Sequence, residues 1–164
     1  MFKHALVTTD GSAFAREILQ HVPSVVGPDG RVTVIEVIDD PARLLAKTNA
    51  GFEFSLVSTM GLDVAEEVIA GERLAAESHL KAALRCLNDA GIADVETLIL
   101  QGTPGDVIVA EARRQQADVV LMATHGRTGL KRAVLGSVTN YVLHHLEDVP
   151  IILIHPQDEA GDQH

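Results

Sequence analysis

The chain is punctuated by short, nearly unbroken runs of Val, Ile and Leu, and these limit its fold more than any other feature. Ala5–Thr8 (ALVT), Arg31–Ile38 (RVTVIEVI), Val119–Ala123 (VVLMA) and Pro150–His155 (PIILIH) are the clear ones, and Val95–Leu100 (VETLIL) is fainter. A strand with one wet face alternates apolar and polar residues. A continuous run marks a strand covered on both faces, the usual condition of a parallel sheet.

Helical patterns lie between the runs. From Ser12 to about Val26, Ala15, Ile18, Leu19 and Val22 recur three and four apart, with Pro23 predicting a kink or an early stop. From about Leu62 to Asp89, Ala76, Leu80, Ala83, Leu84 and Leu87 form one stripe, and Gly91 is a stop signal. Thr103-Pro104-Gly105-Asp106 offers a capping hydroxyl, a first-turn proline and an acid, and opens a helix to about Gln116. A last helix runs from Ser137 to about Leu146. Strands alternating with helices predict a Rossmann-like α/β fold, a parallel sheet with right-handed crossovers and helices on both faces.

The chain's 164 residues suit one domain, at about 150 residues per domain, read here as 1–156 with a polar tail at 157–164 (QDEAGDQH). Asp39–Gly61 shows no clear period, and so long a connection is a lid, a binding loop or an insertion. Thirteen Lys and Arg against 23 Asp and Glu leave a net charge of −10. That excludes a general nucleic-acid binder and disfavours anionic membranes. No apolar run approaches the roughly 20 residues of a membrane span, and the N-terminus shows no signal-peptide pattern. A single cysteine, Cys86, rules out an intrachain disulfide and reads as a buried structural thiol, so a cytoplasmic setting is expected.

In such sheets ligands bind beyond the carboxyl ends of the strands, where the strand order reverses. Asp10 and the stretch from Thr124 to Gly136 follow strands directly. The latter reads Thr124-His125-Gly126-Arg127-Thr128-Gly129-Leu130-Lys131-Arg132, then Gly136-Ser137-Val138-Thr139 at a helix start. Glycines let a backbone approach a phosphate, helix-start N–H groups attract anions, and Ser137 and Thr139 add hydroxyls. From Val119 through Leu146 there is no Asp or Glu, while Arg127, Lys131 and Arg132 are present. An acidic chain thus keeps one positive island, suited to a polyphosphate. The plainer reading is a glycine-containing loop with solvated charges. For Asp10 the plainer reading is a cap on the first helix. The dinucleotide fingerprint, the P-loop and the nucleophile elbow are all absent.

These residues carry a resemblance. Val7-Thr8-Thr9-Asp10-Gly11-Ser12, Val34-Ile35-Glu36-Val37-Ile38, Gln101-Gly102-Thr103-Pro104, Thr124 to Gly129, Gly136-Ser137-Val138 and Val149-Pro150-Ile151 together resemble universal stress proteins of the UspA type over about residues 3–155. The ATP-binding branch of that family has the pattern G-x₂-G-x₉-G-[S/T]. Here Gly126, Gly136 and Ser137 match it, and Ala123 stands where the first glycine would be.

The resemblance implies a five-stranded parallel sheet of order 3-2-1-4-5 and a homodimer paired through the last strand, Pro150 to His155. It implies a regulatory protein of stress response that binds ATP or another adenine nucleotide and passes the signal to an unidentified protein partner. Asp10 and Val37 would meet the adenosine end. Gly126, Gly136, Ser137 and Val138 would hold phosphates, and Ala123, Thr124, His125, Arg127 and Thr139 would line the same mouth. Mg²⁺ would come with the nucleotide, with Asp10 as a candidate carboxylate. No other metal site is expected, since none of the eight histidines forms an H-x-x-x-H pair. Two alternatives stand beside this reading: a dimeric interaction module whose site Ala123 has closed, and a slow ATPase, for which no dedicated catalytic group is visible.

Overall fold

The structure, a computed structural model, describes residues 1–43, 57–124 and 135–155. Its elements are β1 (His4–Thr9), α1 (Ala13–Val26), β2 (Arg31–Ile38), α2 (Val57–Asp89), β3 (Asp94–Gln101), α3 (Pro104–Arg114), β4 (Val119–Ala123), α4 (Ser137–His145) and β5 (Ile151–Ile154). All strand pairs are parallel and the order is β3-β2-β1-β4-β5, as the resemblance implied.

The continuous apolar runs are explained by two cores. Ala5, Val7, Val32, Val34, Val119 and Leu121 point to one face, under Ile18 and Val22 of α1 and Leu80, Ala83 and Leu87 of α2. Leu6, Ile35, Val120 and Met122 point to the other, under Ile108, Val109 and Ala112 of α3 and Val142 of α4. Each fully buried Leu, Ile or Val contributes about 1.5–3 kcal/mol, so the two-sided sheet is the main source of stability.

Several expectations are corrected. Pro23 lies inside α1 and does not end it; the helix stops at Gly27, whose φ of 80° only glycine adopts readily. Thr103 stands at the start of α3 but its hydroxyl makes no capping bond, and Pro104 occupies the first turn. Asp106 engages the Tyr141 hydroxyl of α4. Cys86 is exposed, because the buried stripe of α2 passes through Ala83 and Leu87 and leaves position 86 outside it. The stretch Asp39–Gly61 holds a helical turn at 41–43, and its last residues belong to α2. Residues 44–56, and the tail at 157–164, lie outside the described residues. Among the described residues no helix is long and apolar enough to cross a membrane.

Candidate nucleotide site

The central strand is β1, and the chain leaves it toward β2 on one side and returns to β4 on the other. The crevice between the carboxyl ends of β1 and β4 is therefore the point where strand order reverses. Thr9 pairs with Glu36, and Val7 with Leu121. One residue beyond the strand, Asp10 stands level with Val37 on one side and with Thr124 on the other.

The turn after β1 is tightly held. Gly11 adopts a φ of 74°. Its N–H donates to Thr9 Oγ1 at 3.2 Å, and the N–H of Ser12 donates to Asp10 Oδ1 at 3.0 Å. The α1 cap is Ser12, whose Oγ accepts from Ala15 at 3.1 Å. Asp10 thus shapes the turn ahead of the helix, while Ser12 does the capping.

At the other side of the crevice, Thr124 is buried and its Oγ1 lies 3.1 Å from His155 Nδ1. The N–H of Gly136 donates to the Thr124 carbonyl at 2.9 Å, which ties the start of α4 to the end of β4. The residue at the start of α4, Gly136, has no side chain with which to cap it. The first N–H groups of any helix lack partners within it, so those of Ser137, Val138 and Thr139 begin a positive helix end at the mouth of the crevice. Ser137 is exposed and Val138 half-buried. Thr139 is buried, and its hydroxyl donates to the Ala123 carbonyl at 3.0 Å, so that group holds the crossover together. The methyl of Ala123 packs with the core under α1 and α2, on the same face as Leu121. Val37 packs with the opposite core, under α3 and α4.

Asp10, Val37, Ala123, Thr124, Gly136, Ser137, Val138 and Thr139 are thus gathered at one end of three adjacent strands. His125, Gly126, Arg127, Lys131 and Arg132 lie outside the described residues. Among the described residues no group of three or more His, Cys, Asp or Glu is placed to hold a metal ion.

Two residues beside the crevice escaped sequence reasoning. Glu36, in β2, is 1% exposed, and His79 of α2 places Nδ1 3.1 Å from both of its carboxylate oxygens. An acid inside an apolar strand was a visible signal that a buried partner must exist. Nothing in the sequence pointed to a histidine 43 residues away. Further out, Arg43 pairs with Asp39 at 3.2 Å and donates to the Gly102 carbonyl at 3.0 Å, bridging the ends of β2 and β3.

Residues 1–155 match the model of the universal stress protein family. Universal stress protein MJ0577 of Methanocaldococcus jannaschii is 32% identical over 150 residues, covering 87% of this chain and 89% of that protein. The solved structure of MJ0577 overlays with a TM-score of 0.78 and 26% identity, covering 97% of this chain and 99% of the other. A universal stress protein in complex with cAMP overlays at 0.62 and 17% identity, covering 94% and 97%. A universal stress family protein of Arabidopsis thaliana with AMP bound overlays at 0.64 and 15% identity, covering 96% and 94%. At those last two identities the likeness is one of fold.

Proposed function

The chain belongs to the universal stress protein family, and on that premise we propose that it binds an adenine nucleotide, with ATP the first ligand to test, as a regulatory rather than a metabolic event. The observation that carries this reading is the start of α4, which opens on Gly136 and is tied by it to Thr124, level with Asp10 at the reversal point of the sheet. A helix start at that place is suited to phosphates, and a carboxylate beside it is suited to a ribose hydroxyl or to Mg²⁺ carried with the nucleotide. Gly136, Ser137 and Val138 would hold phosphate through N–H and hydroxyl groups, with Gly126 completing the glycine pattern. Asp10 and Val37 would meet the adenosine end, and Thr124 would brace the wall. That relatives of this fold are known with cAMP and with AMP bound supports the adenine class.

The positive stretch from Arg127 to Arg132 supplies charge for a polyphosphate in an otherwise acidic chain. A protein partner would read the surface that the bound nucleotide creates. We also read the protein as a cytoplasmic homodimer. The edge strand β5, Ile151–Ile154, is entirely apolar and only half-buried, a liability that pairing with a second copy removes.

The test is to purify the protein natively, denature it, identify any released nucleotide by mass spectrometry, and titrate stripped protein with Mg²⁺–ATP. Stoichiometric adenine nucleotide, or micromolar binding by the stripped protein, is expected. An empty protein indifferent to millimolar ATP removes the reading and leaves the dimeric interaction module. Phosphate release in a single-turnover assay would add the ATPase activity, and sedimentation equilibrium at tens of micromolar is expected to give the dimer mass.

A further inference from the structure

Glu36 sits on the β2 face that packs under α1 and α2, at the carboxyl end of the strand. A carboxylate buried to 1% exposure is costly without a close partner, and an apolar pair of similar volume would be easier to bury there. The chain instead spends a histidine on it. The His79 imidazole reaches from α2 and sets Nδ1 3.1 Å from each carboxylate oxygen. The same ring lies directly against Gly11: a methyl group built on that residue would fall inside the imidazole. Thr9 is the register partner of Glu36, so carboxylate, imidazole and the turn after β1 are brought together at the carboxyl ends of β1 and β2. Asp10 is the residue between Thr9 and Gly11, and its carboxylate is held in that turn by Ser12.

We propose that His79, anchored by Glu36, is a positioning residue of the nucleotide site: its ring is the surface on which the Gly11 turn rests, and it thereby sets where Asp10 stands. The inference rests on the nucleotide reading given above. It explains why position 11 must be glycine on two counts, the positive φ and the ring that occupies the space of a side chain. It also gives α2 a mechanical link to the crevice, since any shift of the helix at His79 moves the surface beneath the turn.

The experiment uses the full chain and Mg²⁺–ATP, by calorimetric titration, with urea midpoints to verify folding. His79→Ala removes both the donor and the ring. His79→Asn keeps a donor near the position of Nδ1 and removes only the ring. Both variants are expected to bind ATP about 10- to 100-fold more weakly, by analogy with the loss on removing the outer-shell partners that orient metal ligands. In ¹⁵N spectra without nucleotide, the amide signals of Gly11 and Ser12 are expected to move in both. A His79→Asn variant that binds like wild type, with those signals unmoved, overturns the proposal and leaves His79 as a partner for a buried acid. If His79→Ala fails to fold, His79→Asn and Gly11→Ala decide: unchanged affinity in either overturns it. A wild-type protein that ignores ATP overturns the nucleotide reading and this inference together, whereas tight wild-type binding with indifferent variants overturns only the inference.

Discussion

The Gly136 N–H donates to the Thr124 carbonyl at 2.9 Å, and this bond fixes the start of α4 against the end of β4. Gly136 has an ordinary extended backbone, φ −57° and ψ 152°, which any residue adopts. Conformational freedom is therefore not what glycine supplies here; bare backbone is. A valine keeps the bond to Thr124 and adds bulk where a phosphate would lie. Gly136→Val is expected to change the urea-unfolding free energy by less than about 1 kcal/mol. The same variant should weaken ATP by at least about tenfold, or 1.4 kcal/mol. Equal affinity in calorimetry would remove Gly136 from the site.

Ala123 is the departure from the family's glycine pattern, and its placement argues that the departure is tolerated. The methyl packs with Leu121 and Val7 in the core under α1 and α2. Removing it deletes a packed group, at a cost of about 1 kcal/mol for glycine in a strand and the lost contact. Ala123→Gly is expected to lower the unfolding midpoint while ATP affinity stays within about threefold of wild type. Binding that appears only in the glycine variant would show that the alanine closes the site.

Much of this arrangement was legible because its causes are local. Unbroken runs such as VVLMA at 119–123 declare a strand with two covered faces, and Asp10 and Gly136 are found by following those strands to their ends. Most of what escaped was set by contacts distant in sequence. Thr103 has the chemistry of a cap yet leaves the bond unmade, while Asp106, three residues on, is taken up by Tyr141 of another helix. Cys86 was misplaced because one residue along a helix turns a side chain by about 100°, enough to pass from core to solvent. The Glu36–His79 pair needs the register of β2 against α2, which no pattern of spacing encodes.

The α3–α4 contact offers a sharper test of packing. A Cβ on Gly105 would come within 2.5 Å of Tyr141 Cδ1, and the ring cannot retreat freely, since it stacks on His145 with centroids 3.9 Å apart and its hydroxyl is bound to Asp106. Gly105→Ala is expected to destabilise by about 1–3 kcal/mol, as overpacking does. In a Tyr141→Ala background the obstacle is gone, and alanine in a helix should then stabilise by about 0.5–1 kcal/mol. Chemical denaturation of the four proteins gives the coupling directly. Additive effects would mean that Tyr141 does not confine Gly105.

At the opposite end of the sheet, His4 gives the fold a defined pH response. Its Nε2 lies 3.0 Å from Thr33 Oγ1, against the floor of β2. Burial, and then the guanidinium of Arg31, hold the imidazole below its ordinary value of 6.5, with a backbone hydrogen bond at Gln115, then Asp118 and Asp94, opposing more weakly. The folded state therefore binds this proton less well than the unfolded chain does. Stability from this group is fully present above about pH 6.5, declines as pH falls from there toward the depressed folded value, and levels off below it. His4→Gln keeps a polar partner for Thr33 and cannot titrate. Urea midpoints measured from pH 7.5 to 5 are expected to fall more steeply for wild type than for His4→Gln, with the two curves diverging below about pH 6.5. Parallel curves through that window would show that His4 takes up its proton equally well folded and unfolded, and that neither its burial nor Arg31 governs the acid response of this end of the sheet.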